Sequence, residues 1–360
     1  MLLCRQQTNL IYFSSDNSLN HFHMKKLIIR IALSCMLITA SAGLIFGWGT
    51  FGHQHINHAA VFALPVEMRL FFYNHIDFVT EESTVPDLRK YTLNDKAENP
   101  RHFIDIEGFE NTPIDSIPRT MKQAMAKYDE KFLQKMGILP WYMQEMMEKL
   151  TKAFREKRKT EILFLAADLG HYIGDANMPL HTALNHDGQL TNQKGIHSFW
   201  EAQLPEYFGN AYKLNVSEAV YLPDVTAACW DIVKHSNSLA DTLLLIERNL
   251  RASFPAEKMY KTDDSGKVVK NKFGQMTRSL EYAQAYHNAL GGMVENQMRH
   301  AVQDLANFWF TAWVNAGRPD LSELDPAELT QRNRKNYKKD LKMYQKGKLF
   351  GFKIENEYGN

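Results

Sequence analysis

Two histidine–carboxylate pairs with a spacing of four residues are the part of this sequence with the clearest chemistry. His171 precedes Asp175, and His197 precedes Glu201. Residues four apart lie on one face of a helix, one turn from each other, so both side chains of a pair can bind one metal ion at roughly 2.0–2.2 Å. A further histidine, His181, lies between the pairs. Nitrogen and oxygen ligands without cysteine favour Zn²⁺ or a related borderline metal.

Helices have to position these ligands. Apolar residues at helical spacing predict a helix from Thr160 to Ala176 that carries the first pair. Pro179 is expected to end it, because proline lacks an N–H group and disfavours helical conformation in the residue before it. Similar periodic runs recur from Trp48 onward, without βαβ alternation or internal repeats, and residues 101–106 alternate like a short extended segment. The sequence therefore predicts one compact, mainly α domain with little β structure.

Composition and charge set the limits on function. The chain has 360 residues, of which 44% are hydrophobic and 12% aromatic, which is ample for a large core. A formal net charge of +1 gives no global field that would attract nucleic acid or a membrane. Nine Lys or Arg residues against one Asp lie between 332 and 353. This basic C-terminal tail, residues 326–360, is expected to be a solvated surface, with contact to phosphate groups as the alternative.

The N-terminus has the features of a targeting segment. Met24-Lys25-Lys26 starts a basic region, and residues 31–38 form an apolar run too short to cross a bilayer. Ala40-Ser41-Ala42 and Gly47 are alternative positions for cleavage. Residues 1–47 are therefore predicted to be an N-terminal extension with a signal peptide, and the protein is expected to be secreted or periplasmic. Cys229 would then be the one cysteine left, so no internal disulfide is expected.

Further ligand-type residues lie upstream of both pairs. Trp-Gly-Thr-Phe-Gly-His ends at His53, and Asp87 and His102 follow. In order and spacing the chain resembles the superfamily of single-strand-specific zinc nucleases (the S1/P1 type) and bacterial zinc-dependent phospholipases C. The resemblance covers residues 48 to about 205, and it implies that this domain extends over residues 48–325. The matching positions are Trp48, His53, Asp87, His102, His171, Asp175, His181, His197 and Glu201.

The resemblance implies three zinc ions. The implied ligands are Asp87, His102, His171 and Asp175 for the first; His181, His197 and Glu201 for the second; and His53, Asp175 and the amino nitrogen and carbonyl oxygen of Trp48 for the third. The third set requires a mature chain that begins at Trp48. Cleavage after Ala42 would leave no free amine there, and the sequence does not decide between these positions.

The same resemblance implies that the metal ions activate water. Two cations about 3.5–4 Å apart lower the pKa of a shared water from about 15.7 toward 7, and the hydroxide attacks phosphorus in line. Asp175 would bridge two of the ions, and Asp87 would orient the nucleophile. A serine or cysteine nucleophile is not required, because this catalysis depends on electrostatics and positioning.

The residues that bear on the substrate favour two different classes. Phe103 and Asp105 resemble the nuclease residues that stack on a base and hydrogen-bond its edge, although Phe103 could equally be a core residue. Arg89 or Lys90 could contact a phosphate oxygen, or both could be solvated. Glu201 stands where the nucleases usually have Asp, and in this respect it resembles the phospholipases.

These features lead to one expected function and two alternatives. The expected function is a secreted or periplasmic phosphodiesterase with three zinc ions that cleaves single-stranded nucleic acid or nucleotides. The first alternative is a zinc-dependent phospholipase C that acts on phospholipid headgroups. The second is a zinc-binding protein without catalysis. No stable protein partner is implied.

Overall fold

The computed structural model describes residues 48–348, apart from residues 110–111 and 272–273. The predicted N-terminal extension with its signal peptide, residues 1–47, lies outside the described residues, and so does the end of the basic tail, residues 349–360. In the described ranges no helix combines the length and the apolar character needed to cross a membrane.

The architecture is mainly α, as the sequence predicts. The α-helices in the described ranges are α1 Gly49–Ala63, α2 Val66–Asn74, α3 Ile76–Glu81, α4 Val85–Tyr91, α5 Met121–Lys127, α6 Glu130–Met136, α7 Leu139–Arg155, α8 Lys159–Ala176, α9 Ile196–Ser198, α10 Leu204–Phe208, α11 Val225–Ser253, α12 Leu280–Ala289, α13 Met293–Asn315 and α14 Ala327–Gln345. Short 3₁₀ turns join several of them, and one π-helical turn, Phe199–Gln203, lies between α9 and α10. In the residues that the structure describes, the β structure consists of isolated antiparallel bridges between residues 260 and 278.

Helix α8 lies at the centre and confirms the helix predicted for residues 160–176. It packs against α7, α1 and α13, and its buried side reaches the hydrophobic core through residues such as Ala166 and Ile173. The helix ends at Ala176, and Pro179 then starts a 3₁₀ turn, Pro179–Thr182. The proline signal therefore marks the change of direction that the sequence predicted.

Two glycines of α8 allow α1 to approach closely. A Cβ atom at Gly170 would lie 2.1 Å from Oδ1 of Asn57, and one at Gly174 would lie 3.0 Å from Nδ1 of His53. Asn57 fills this contact and donates from Nδ2 to the carbonyl oxygen of Ala167 at 3.2 Å. The close approach brings His53 of α1 next to the ligand pair of α8.

The C-terminal helix α14 has one buried and one exposed side. Tyr344 is 5% exposed and stacks on Phe62 of α1 with ring centroids 5.2 Å apart. The hydroxyl group of Tyr73 in α2 donates to Asp340 at 2.6 Å. The exposed cations on the other side of this helix are Arg334, Lys335, Lys338, Lys339 and Lys342.

Asp304 in α13 gives a prediction for the pH dependence of stability. Burial raises the pKa of Asp304 to about 6, although Asn177 donates to its carboxylate at 3.1 Å. The folded state therefore binds more protons than the unfolded state between about pH 4 and 6, so stability falls as the pH rises through that range. Asp304→Asn is expected to raise the free energy of unfolding by about 1–2 kcal/mol at pH 8 and not at pH 4.

Urea unfolding of wild type and variant at both pH values measures this difference. The amide oxygen of asparagine can still accept from Asn177, so the comparison isolates the charge. An equal gain at both pH values, or a loss of stability at pH 8, would contradict the role given to this carboxylate.

Candidate metal centre

Eight of the predicted ligand side chains come together in the interior, and we call this group the ligand cluster. Its members are His53, Asp87, His102, His171, Asp175, His181, His197 and Glu201. Three groups in it have ligand atoms within 4.8 Å of one another: His53, His171 and Asp175; Asp87, His102 and His171; and His181, His197 and Glu201. Each group has the size and the nitrogen and oxygen donors of a metal site.

Asp175 lies at the middle of the cluster, with four imidazoles around its carboxylate. Its Oδ1 is 3.4 Å from Nε2 of His53 and 3.9 Å from Nε2 of His181. Its Oδ2 is 3.0 Å from Nδ1 of His102 and 3.3 Å from Nε2 of His171. Each oxygen faces a different set of rings, which is the arrangement that a carboxylate between two ions would need.

Glu201 forms a second focus of the cluster. Its Oε2 is 3.2 Å from Nε2 of His181, and its Oε1 is 3.1 Å from Nε2 of His197. The backbone nitrogen of Trp48 donates to Oε2 of Glu201 at 3.2 Å. The structure thus places the nitrogen of Trp48 at the edge of the cluster, beside Glu201, whereas the resemblance grouped it with His53 and Asp175.

Asp87 joins the cluster from the first turn of α4, next to Pro86. Its Oδ1 lies 3.6 Å from Nδ1 of His102 and 3.9 Å from Nε2 of His171. Proline suits this first turn because its missing N–H group would have no partner inside the helix there. The proline therefore fixes the start of α4 and, with it, the position of the Asp87 carboxylate.

Backbone carbonyl groups orient three of the histidines. Nδ1 of His171 lies 2.8 Å from the carbonyl oxygen of Ser83, Nδ1 of His181 lies 2.6 Å from that of His102, and Nδ1 of His197 lies 2.8 Å from that of His186. A carbonyl oxygen only accepts, so each Nδ1 carries a proton, and in the neutral imidazole Nε2 keeps its lone pair. These lone pairs face the cluster, which is the orientation of metal-binding histidines.

The ligands lie on seven secondary-structure elements. His53 is on α1, Asp87 on α4, His102 on the 3₁₀ turn Asn99–His102, His171 and Asp175 on α8, and His181 on the turn Pro179–Thr182. His197 lies in α9, but Glu201 lies in the π-helical turn. The second ligand pair therefore meets across a wider turn than the α-helix that its spacing predicted, and single-turn π segments of this kind occur often at functional sites.

Burial and the close contacts shift the pKa values in the cluster in opposite directions. Burial, with a contribution from Asp175, raises the pKa of Asp87 to about 8. Burial opposes the charge of Asp175, but the surrounding imidazoles, led by His181, hold its pKa well below its usual range. Burial lowers the pKa of His102 to about 4. Burial also disfavours protonation of His197, but Glu201 raises the pKa of that imidazole to about 9.

The residues present fit zinc ions. The imidazole of His53 is fully buried, and neither ring nitrogen makes a hydrogen bond of acceptable geometry. Buried polar atoms without a partner are costly and need an explanation. A bound cation would satisfy these nitrogens and would also offset the charge of the buried carboxylates. The donor set, five imidazoles with three carboxylates and no thiolate, suits Zn²⁺.

A cleft of about 400 Å³ opens above the cluster. His181 and His197 of the cluster line this cleft, so a molecule bound in the cleft would reach these two residues of the cluster. The other lining residues are Lys90, Tyr91, Asn99, Phe103, Leu180, His186, Asp187, Ser198 and Gln275.

The predicted substrate-binding residues lie in different places. Phe103 and Lys90 line the cleft, and Nζ of Lys90 lies 4.7 Å from the ring centroid of Tyr91. Arg89 is not among the cleft-lining residues of the described ranges. Its guanidinium group donates to Asp168 at 2.8 Å and also to Glu98. Asp105 is 7% exposed and is not one of the cleft-lining residues in the described ranges; burial raises its pKa to about 7.

Glu98 is a residue near the cluster that the sequence analysis missed. Its side chain is fully buried, and Oε1 lies 3.4 Å from Nε2 of His102. Nε of Arg89 and Nη1 of Arg101 donate to Oε2 at 3.1 and 2.8 Å, and the hydroxyl group of Tyr172 donates to Oε1. The signal was present, because Glu98 and His102 have the same spacing of four as the ligand pairs.

Comparisons with known proteins find a partial match to a nuclease. No protein-family model matches the chain. Nuclease S1 of Aspergillus oryzae (strain ATCC 42149 / RIB 40) is 24% identical in an alignment of 194 residues that covers 50% of this chain and 62% of the nuclease. The chain thus matches less than two thirds of the length of that enzyme. The similarity supports the S1/P1 part of the predicted resemblance and adds no support for the phospholipase part.

Proposed function

We propose that this chain is a zinc-dependent phosphodiesterase that cleaves single-stranded nucleic acid. The observation that carries the proposal is the ligand cluster, in which three potential metal groups, two of them with His171 in common, lie beneath an open cleft. The similarity to nuclease S1 supports a nucleic acid substrate. The predicted signal peptide supports a secreted or periplasmic location.

The proposed centre holds three zinc ions. Asp87, His102, His171 and Asp175 would bind the first; His181, His197 and Glu201 the second; and His53 and Asp175 the third, with Trp48 as a further ligand if the mature chain begins there. Bound zinc would supply an activated water and would stabilise the charge that develops on the phosphate.

The side chains of the protein would perform the remaining tasks. Asp87 would accept a hydrogen bond from the attacking water and so orient it. Phe103 would stack on a base at the cleft wall, and Lys90 would attract a phosphate oxygen by its charge. The three histidines that bond to carbonyl groups would keep their Nε2 lone pairs fixed, so little reorganisation would accompany the reaction.

Hydrolysis of single-stranded DNA and RNA by the purified mature protein tests this proposal. Metal analysis should find about three zinc ions per chain, and hydrolysis that yields 5′-nucleotides should stop with EDTA and return with zinc. Duplex DNA of the same sequence is the matched control and should be cleaved more slowly. A zinc-loaded protein that cleaves neither single-stranded polymer would disprove the nuclease assignment.

Two observations keep a phospholipase C as the second candidate. Glu201 stands at a position where the sequence resembles the phospholipases. In addition, the apolar side chains of Leu190 and Met276 are 67% and 50% exposed and lie close in sequence to the cleft-lining Asp187 and Gln275. Exposed apolar groups of this kind suit an amphiphilic substrate. Release of diacylglycerol from mixed micelles would favour this candidate.

Phe103 gives a prediction about substrate binding. Phe103→Ala is expected to raise KM for single-stranded DNA by roughly tenfold or more, because stacking of a base on an aromatic ring contributes about 1–3 kcal/mol. The value of kcat should change little, since the ligand cluster stays intact. Phe164→Ala is a matched control, because Phe164 is 43% exposed on α8 and packs on Phe78. Equal KM values for wild type and Phe103→Ala would place the base elsewhere.

A further inference from the structure

We propose that Glu98 is a positioning residue for the metal ligand His102 and increases the zinc affinity of that site. The inference rests on the proposed zinc centre. Glu98 itself lies outside the ligand cluster, and it would act by accepting a hydrogen bond from the far side of the His102 ring.

The orientation of His102 differs from that of the other histidines. His171, His181 and His197 present Nε2 to the cluster and donate Nδ1–H to a carbonyl group. His102 presents Nδ1, which lies 3.0 Å from Oδ2 of Asp175 and 3.0 Å from Nε2 of His171. With a metal ion on Nδ1, Nε2 would carry the proton, and Nε2 points away from the cluster toward Glu98.

Glu98 is the group that this N–H meets. Nε2 of His102 is buried and makes no well-formed hydrogen bond in the described structure, and Oε1 of Glu98 lies 3.4 Å from it. That distance exceeds an ideal N–H···O length by about 0.4 Å. A small rotation of the ring would close it. The far nitrogen of the His102 ring therefore faces a carboxylate, whereas in His171, His181 and His197 the corresponding nitrogen faces a neutral backbone carbonyl group.

The surroundings keep Glu98 ionised and fixed. Arg89 and Arg101 donate to one carboxylate oxygen, and Tyr172 donates to the other. Arg89 is itself held by two hydrogen bonds to Asp168, at 2.8 and 3.3 Å. The two guanidinium groups favour the ionised form of this buried carboxylate. The carboxylate therefore has little freedom to turn away from the imidazole.

A carboxylate behind a ligating imidazole fixes the tautomer and makes the ring a stronger donor to metal. The buried network could instead serve only to join α4 to α8, in which case zinc affinity would not depend on it. The two roles differ in what the loss of the charge changes. A positioning role changes metal affinity, and a purely structural role changes stability alone.

The variant Glu98→Gln separates these roles, because it keeps the size and one oxygen acceptor but removes the charge. Its matched control is Glu247→Gln. Glu247 is also fully buried, accepts from Tyr282 and Gln193 at 2.8 and 2.6 Å, and has Arg251 and Arg278 nearby. Zinc affinity is measured on the mature protein by competition with a chromophoric chelator, and cobalt substitution reports the ligand field through its visible spectrum.

Glu98→Gln is expected to weaken one of the bound zinc ions by about 10–100-fold and to shift the cobalt spectrum. Glu247→Gln should lower the melting temperature and leave all zinc affinities within about twofold of wild type. Wild-type affinity in Glu98→Gln would overturn the inference, and so would an equal loss of affinity in both variants.

A second variant covers the case in which Glu98→Gln does not fold. Tyr172→Phe removes one hydrogen bond to the carboxylate and keeps its charge, so it should weaken zinc binding in the same direction but less. Unchanged affinity in Tyr172→Phe would then overturn the inference. A wild-type protein that binds no zinc would refute the proposed function and this inference together, whereas a protein that binds zinc without cleaving nucleic acid would refute the nuclease assignment alone.

Discussion

Changing Asp175 to asparagine is expected to lower the rate of phosphodiester hydrolysis by roughly 10³-fold and to reduce the zinc content of the purified protein. The four imidazoles around this carboxylate lie 3.0–3.9 Å from its oxygens. An amide has almost the same shape, but it carries no charge and offers one oxygen in place of two. The variant would therefore lose a ligand to two ions at once. The decrease should appear in kcat, because the side chains proposed to bind substrate are unchanged.

Asp340→Asn is the control for this experiment, since Asp340 is 7% exposed, accepts a hydrogen bond from Tyr73 and is not part of the ligand cluster. It should keep its zinc and its activity. Wild-type turnover by Asp175→Asn would remove Asp175 from the proposed centre. Zinc binding by the wild-type protein without any turnover, combined with unfolding of Asp175→Asn, would favour the alternative of a zinc-binding protein without catalysis.

Removal of zinc is expected to lower the melting temperature by roughly 10 °C. A site filled at a free zinc concentration of 1,000 times Kd contributes about 4 kcal/mol, which corresponds to this shift for a protein of this size. The physical reason is that Asp87, Asp175 and Glu201 are fully buried together with the imidazoles of the cluster. Without cations these groups would have to share protons or remain as uncompensated buried charges, and both cost stability.

Thermal unfolding with excess EDTA, and again after dialysis into zinc or magnesium, measures this effect. Zinc should restore the melting temperature, but magnesium should not, because the cluster offers imidazole nitrogens and magnesium prefers oxygen ligands. A melting temperature that does not respond to EDTA, in a protein shown to lose its zinc, would mean that the folded state tolerates the empty cluster.

The main helices and most of the cluster could be predicted from the sequence because both leave local signals. The helix predicted for residues 160–176 differs from the observed α8 by one residue at its start, since its apolar periodicity and the following proline are read directly from the chain. The pair of His171 and Asp175 needs only this one helix. The distance of 3.3 Å between Nε2 of His171 and Oδ2 of Asp175 follows from their spacing of four residues in the sequence.

The directions of Arg89 and Glu98 could not be predicted, because distant segments decide them. Arg89 and Lys90 are neighbours in sequence, but Asp168 of α8 holds the first away from the cleft while the second lines it. Glu98 and His102 have the spacing of a ligand pair. Two arginines and a tyrosine hold the carboxylate on the outer side of the ring, however, so the two residues do not face a common ion.

The π-helical turn Phe199–Gln203 has a consequence for how this protein tolerates insertions and deletions. A turn of this type contains about one residue more than an α-helical turn. Loss of a single residue there would let the turn tighten to α geometry and would rotate one flank relative to the other by about 100°. Glu201 could then no longer face His197 and His181 while Trp200 and Leu204 kept their places in the core. Chain length in this turn is therefore as restricted as the identity of the ligand it carries.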